Sequence, residues 1–255
     1  MRLALTFLFL AVTTSLVANG GESFPFRTGE KLTYDILWGP IVAGHATLQI
    51  TGIETVDGKD CYHLVGRAQT SGVVDLLFHV ENKIESWLDT KDLFTRRFRQ
   101  VRFERKHRTA DESHYDYTTG QIVTTNLLNG KLKSSPLPNA GQDLLSAFYF
   151  VRTLPLHLNY EVNFPITLTG VRYDMHARLD ERKQFFSRPT GDVPALRIEP
   201  NPTLNVVASC GGRMWFWVSD DDRRLPVLLV SDIKFGSIKM VLTGIQSNQT
   251  TQTRM

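Results

Sequence analysis

What the chain lacks narrows its chemistry first. There is no Gly-x-Ser-x-Gly run, and Ser71-Gly72 has neither the preceding glycine nor the strand–helix setting of a nucleophile elbow. No His-Glu-x-x-His signature of zinc hydrolysis occurs, and Gly211-Gly212 is not followed by the Lys-Ser/Thr of a phosphate-cradling loop. Strong charge of one sign is missing: 29 Lys and Arg stand against 26 Asp and Glu. That balance gives no footprint for nucleic acid as a partner. Past the N-terminus, no apolar run approaches the roughly 20 residues that span a bilayer. No repeat, low-complexity stretch or long linker is present. Cysteine is scarce, with only Cys61 and Cys210. Neither belongs to a suitably spaced His or carboxylate set that would hold zinc, and no cofactor is expected.

What is there begins at the N-terminus. Arg2 supplies a basic start, Leu3 to Leu10 an apolar run, and Ala18-Asn19-Gly20 small residues at the positions a signal peptidase inspects. This is the three-part layout of a secretory signal, and cleavage is expected after Gly20. The alternative is an uncleaved N-terminal anchor. Removing residues 1–20 takes away Arg2 and no acid, so the formal charge of +3 falls by one. The rest is expected to form a soluble, exported chain, periplasmic or associated with the outer envelope. Residues 21–245 read as a single β-rich domain and residues 246–255 as a polar tail. Export to an oxidising compartment permits a disulfide between Cys61 and Cys210. The alternative is two buried thiols behaving as small hydrophobes.

Strand signals dominate the mature chain. Leu32, Tyr34 and Ile36 alternate with Lys31, Thr33 and Asp35, and Gly39-Pro40 then turns or bends the chain. Asp57-Gly58, Thr119-Gly120 and Asn129-Gly130 are hairpin signals between further alternating runs. Val73 to Val80 reads as a short helix or a strand. Only Asp143 to Arg152 is firmly helical, with Leu144, Leu145, Phe148 and Val151 at helical spacing and Asp143 placed to cap it. Leu154-Pro155 ends it. The expected fold is all-β with one short helix, an antiparallel meander forming a barrel, half-barrel or sandwich.

Three segments carry a resemblance. Phe26-Arg27-Thr28-Gly29-Glu30-Lys31-Leu32-Thr33-Tyr34 with Trp38-Gly39 and Ala43-Gly44 is similar to the opening of the bacterial exported family called domain of unknown function 3108. Gln142 to Arg152 resembles that family's single helix motif. Trp217 to Val227, followed by Gly236-Ser237, resembles its closing hairpin. The resemblance spans about Phe26 to Ile245. It implies an exported bacterial β protein, and it transfers no activity and no catalytic residue.

Several constellations invite a functional reading beside a bland one. Asp111-Glu112-Ser113-His114-Tyr115-Asp116 offers oxygen ligands that suit calcium. A solvated hairpin arm explains it better, because charged residues are usually exposed. Asp220, Asp221, Asp222, Arg223 and Arg224 read as a cation or carbohydrate site, or as a turn in which Asp bonds its own backbone. If buried, these arginines would partner Asp143 or Glu30. The basic run from Arg96 to Arg108 suits anionic lipid or envelope polysaccharide, and it also protects a strand edge. Trp215 and Trp217 suit a sugar platform or a core.

The leading expectation is a non-catalytic binding or structural role in the bacterial envelope. A concave sheet with one apolar helix would hold a lipid or other apolar ligand in a cavity lined by Leu48, Phe78, Trp87, Phe148 and Trp217. The alternatives are a hydrolase acting on envelope material and a protein-interaction module.

Overall fold

The computed structural model describes residues 24–168, 170–200, 213–233 and 236–247. The expected signal segment, Cys210 and residues 248–255 lie outside them. The first half of the sheet contains β1 (Lys31–Trp38), β2 (Ile41–Val56), β3 (Lys59–Thr70), β4 (Val80–Asp89), β5 (Thr95–Glu104), β6 (His107–Asp116), β7 (Gln121–Asn126) and β8 (Leu132–Pro136). The second half contains β9 (Glu161–Leu168), β10 (Val171–Ser187), β11 (Gly191–Pro200), β12 (Met214–Ser219), β13 (Pro226–Ile233) and β14 (Gly236–Gln246). Helix α1 (Gly72–Leu77) joins β3 to β4, and α2 (Leu144–Arg152) joins the halves.

All fourteen strands form one antiparallel sheet, ordered β8-β7-β6-β5-β4-β3-β2-β1-β14-β13-β12-β11-β10-β9. Each half is a meander, and β1 paired with β14 joins the two. Among the described residues the sheet does not close on itself, so of the expected architectures it is the half-barrel. Asp57-Gly58, Thr119-Gly120 and Asn129-Gly130 each sit between the strands they were expected to join. Register irregularities at Thr33/Tyr34, Ile50/Gly52, Trp87/Leu88 and Leu179/Glu181 interrupt the ladders. Such bulges bend a strand and increase its twist, which curls a long sheet.

Among the described residues a second, shorter helix accompanies the expected one, in the stretch the sequence left open between helix and strand. Val73 to Leu77 is helical, but α1 buries none of its residues. Its apolar positions therefore follow no core-facing stripe that would distinguish helix from strand in the sequence.

Helix α2 governs the shape. Asp143 is its N-cap: Oδ1 accepts from the N–H groups of Leu145 (2.7 Å) and Ser146 (3.0 Å), while the Ser146 hydroxyl accepts from the Asp143 N–H (2.8 Å). This is a reciprocal capping box with serine in the usual place of Glu or Gln. The other carboxylate oxygen accepts from Thr95 Oγ1 at 2.8 Å and from Ser86 Oγ, which ties the helix start to β5 and β4. Burial pushes the Asp143 carboxyl up, against the donors around it.

The residues just before α2 stitch the two halves together. The Gly141 carbonyl accepts from Thr95 N–H of β5. Gln142 donates to the Pro165 carbonyl and accepts from Thr167 N–H, both on β9. The turn at Gly170 abuts the other edge of the sheet. With φ at +72°, a Cβ there would stand 3.5 Å from Ser135 Oγ and 3.6 Å from Thr124 Oγ1.

Two faces of α2 serve two core clusters. Leu145 and Tyr149 pack with Phe26, Ile50, Leu64, Leu88 and Leu93. Ala147 and Val151 pack with Val162, Phe164, Ile166, Leu179 and Leu196, with Phe148 beside them. At the helix end, Arg152 is 1% exposed. Its Nη1 donates to Glu30 Oε1 (2.6 Å) and its Nη2 to Glu30 Oε2 (2.9 Å). Nη2 also reaches the carbonyls of Pro25 (3.0 Å) and Arg223 (3.1 Å). The guanidinium lies over the Phe26 and Tyr149 rings, 5.4 Å from each centroid. Burial disfavours its charge, but the Glu30 carboxylate outweighs that and raises the Arg152 pKa.

Glu30 is therefore paired by Arg152, not by Arg223 or Arg224, and Asp143 is held by hydroxyl and N–H donors. Arg223 turns outward onto Asp221 (2.7 Å) and contributes only its carbonyl to this cluster.

Removing one partner of a buried ion pair leaves the other charge stranded, at a cost of about 3–5 kcal/mol. Arg152→Ala should lower unfolding free energy by about that much. Arg223→Ala, at a half-exposed surface pair, should change it by less than about 1 kcal/mol. Urea denaturation of the two variants measures both.

Candidate functional site: an apolar trough in the half-barrel

The concave face encloses a trough of about 510 Å³. Helix α2 forms one end through Leu144, Leu145, Ala147, Phe148 and Val151. One wall comes from Tyr34, Ala46, Leu48, Ala68 and Ile84 on β1 to β4. The facing wall comes from Phe164, Ile166, Leu168, Met175, Ala177, Ile198 and Phe216 on β9 to β12. Met214, Leu229 and Met240 continue the lining. Period-two alternation supplies most of it, as with Phe164, Ile166 and Leu168 along β9. Gly66 also lines the trough, where a Cβ would press within 2.8 Å of Ile84 Cγ1.

The polar lining collects on β3 to β5, away from α2, and includes Arg67. Asn82 and Arg102 are cross-strand partners and both donate to Glu104 Oε1, at 3.1 Å and 2.7 Å. Gln100 lies on the same face. Burial pushes the Glu104 carboxyl up, but Arg102 and Asn82 outweigh it and hold it below the usual carboxylate range. The Asn82 side-chain oxygen is buried without a hydrogen-bond partner among the described residues.

Of the residues singled out in the sequence, Leu48 and Phe148 line this trough, and Phe78, Trp87 and Trp217 do not. Trp87 alternates with Ser86, which faces α2, so its ring lies on the outer face. There it stacks on His63 (4.6 Å between centroids), lies under Arg97 (4.7 Å) and donates to Glu54 Oε2 (2.7 Å). Trp217 alternates with the trough residue Phe216 and packs against Phe185 at 4.8 Å. Phe78 follows α1 at the surface. Sequence reading missed Phe164, Met175 and Met240, although the alternation along β9, β10 and β14 was there to find them.

The polar clusters pair within themselves and with neighbouring strands. Asp221 Oδ1 accepts from the N–H groups of Arg223 (3.2 Å) and Arg224 (3.1 Å), which makes residues 220–224 a side-chain-bonded turn. Asp220 pairs with Arg182 at 2.7 Å, and Asp222 sits between these partners in the turn. In the run from Asp111 to Asp116, Glu112 pairs with Arg97 (2.7 Å) and His114 with Asp57 (3.2 Å), while Asp116 accepts from Thr118 and Thr119. Among the described residues, no group of three or more His, Cys, Asp or Glu could hold a metal ion. Cys61 is buried, its Sγ donates to the Lys59 carbonyl at 3.5 Å, and burial pushes its thiol up to about 11. The pairing of Cys61 with Cys210 falls outside the described residues.

An open antiparallel half-barrel with a helix across one end and an apolar interior defines a β-barrel-like protein. Residues 33–243 match the model of the family described as protein of unknown function (DUF3108), and the chain belongs to that family. No curated protein matches it. Among solved structures it is similar to the beta-barrel-like protein of domain of unknown function DUF1849 from Brucella abortus. That likeness has a TM-score of 0.54 at 8% identity and covers 87% of this chain and 99% of that one. A candidate exported protein with a YmcC-like fold from Bacteroides fragilis matches with a TM-score of 0.32 at 7% identity, over 88% of this chain and 98% of that one. A candidate lipoprotein from Parabacteroides distasonis matches with a TM-score of 0.33 at 8% identity, over 88% and 98%. No helix among the described residues is long and apolar enough to cross a membrane.

The turn after β4 braces the trough through Asp89. Its Oδ1 accepts from the N–H groups of Lys91 (2.9 Å) and Asp92 (3.1 Å), and Arg96 Nη2 reaches Oδ2 at 2.9 Å. The same turn presents the Leu93 carbonyl to Gln142 Nε2, just ahead of α2. Burial alone would raise the Asp89 carboxyl, but the Asp92 and Lys91 amides and Arg96 outweigh it, and its pKa is lowered. A carboxyl depressed in the folded state adds stability above its unfolded pKa of about 3.9, and this is lost as pH falls through the lower folded value. Asp89→Asn should therefore cost about 2 kcal/mol at neutral pH and flatten the stability curve below about pH 4. Urea unfolding of both proteins across that pH range checks it.

Proposed function

We propose that this protein is a non-catalytic, exported binding protein of the bacterial envelope that holds an acyl chain or a similar apolar ligand in its trough. The carrying observation is the trough itself: about 510 Å³, lined almost entirely by carbon on two facing walls and ended by α2. Small-molecule sites run to about 300–1,000 Å³, with mostly apolar linings and a few placed polar groups. Asn82, Gln100 and Arg102 are the placed polar groups here. Met175, Met214 and Met240 give the lining side chains that adapt to a flexible chain. The N-terminal signal pattern supports export, and the family is exported by resemblance.

A fluorescent fatty-acid analogue should bind the protein lacking residues 1–20 with saturable enhancement, displaced by unlabelled fatty acid. Ala68→Phe projects a ring into the trough and should weaken binding by about tenfold or more, since overpacking of this kind costs about 1–3 kcal/mol. A retained cooperative melt would show that the variant folds. Absence of saturable binding, or equal binding by folded Ala68→Phe, would overturn the proposal.

A further inference from the structure

One end of the half-barrel carries apolar side chains that the fold does not use. Val73, Leu76 and Leu77 on α1 are 70%, 86% and 71% exposed. A six-residue helix with no buried residue gains nothing from displaying them to water. The Ser71 N–H donates to the Ala43 carbonyl, so α1 starts beside the exposed Ile41 and Val42 of β2.

Cations surround this patch. The turn between β5 and β6 brings Arg105, Lys106, His107 and Arg108 together in sequence with no acid among them. The Arg105 guanidinium lies 5.0 Å over the Phe78 ring, and the Arg105 backbone N–H donates to the His79 carbonyl at 2.7 Å. The basic turn is thereby fixed against the end of α1. Of the nearby acids, Asp75 is engaged with Thr70 and His79 and Glu104 with Arg102 and Asn82, while Glu81 lines an outer-face pocket with Arg108.

We infer that α1 and the β5–β6 turn form a docking surface for an anionic lipid bilayer. Leu76, Leu77 and Val73 enter the interface while Arg105, Lys106 and Arg108 meet lipid phosphates. Apolar side chains beside clustered cations are the composition that binds such an interface, where each basic residue strengthens attraction to anionic headgroups. The strand register places this surface at the end of the trough away from α2. Asn82 and Arg102 lie two pairs in from Val80 and Glu104, where β4 begins and β5 ends. Docking would therefore bring the polar lining of the trough toward the headgroups. The surface is argued from α1 and the turn alone and stands whether or not the trough holds an acyl chain.

Flotation of the protein lacking residues 1–20 with phosphatidylcholine vesicles, with or without phosphatidylglycerol, tests it. The protein should float with the mixed vesicles, less with the neutral ones, and lose binding as salt rises. Lys106→Gln with Arg108→Gln should weaken partitioning about thirtyfold. Leu76→Ser with Leu77→Ser should abolish it while the melt and fatty-acid binding stay unchanged, because both side chains are exposed. No flotation with mixed vesicles, or flotation unchanged by the leucine variant, would overturn the inference. So would a dimer that the leucine variant dissolves without any vesicle binding, since the patch would then be covered by a second copy. Ala68→Phe should float normally, which separates failure of the trough reading from failure of this one.

Discussion

Everything in this half-barrel depends on fixing one short helix inside a sheet that does not close. Arg152 does most of that at the helix end. Its guanidinium joins Glu30 before β1, the Pro25 carbonyl, and the Arg223 carbonyl between β12 and β13. A buried ion pair is a poor source of net stability, because desolvation offsets its attraction. It is a strong source of specificity here, because only one placement of α2 satisfies all three partners. Asp143 performs the matching task at the helix start, and Gln142 bonds β9 across the gap.

With α2 fixed in this way, the trough follows. A helix lying across one end of a curled sheet uses Leu145 and Tyr149 toward one wall and Ala147 and Val151 toward the other. The walls stand apart beyond it, and the space between them is lined by the same alternating residues that would otherwise have formed a solid core. The polar lining lies at the other end, where β4 begins and β5 runs into the β5–β6 turn. The apolar interior, the polar end and the exposed apolar patch outside that end thus form one sequence along the molecule.

Much of the fold was legible. Asp57-Gly58, Thr119-Gly120 and Asn129-Gly130 announce their turns locally, because positive φ at those positions needs Gly, Asn or Asp. The Arg105-Lys106 turn gave no such signal: Arg105 adopts φ +56° without glycine, and charges run through it unbroken. The second half of β10, from Asp180 to Lys183, carries no alternating signal, because its charged residues pair with one another and with Arg197 of β11. Register decides the site, and register is not local. Leu48 and Phe148 reach the trough, while Trp87 and Trp217, equally apolar, face away across irregular ladders. The Glu30–Arg152 pair joins residues 122 apart and leaves no spacing to read.

The trough is proposed to bind an acyl chain. Native mass spectrometry of the protein purified from the envelope of the cell that makes it, followed by extraction of whatever accompanies it, tests that claim most directly. A defined adduct of one acyl-bearing molecule per chain, depleted in the Ala68→Phe variant, is the expected result. A single unadorned mass under conditions gentle enough to retain a known lipid complex would contradict it.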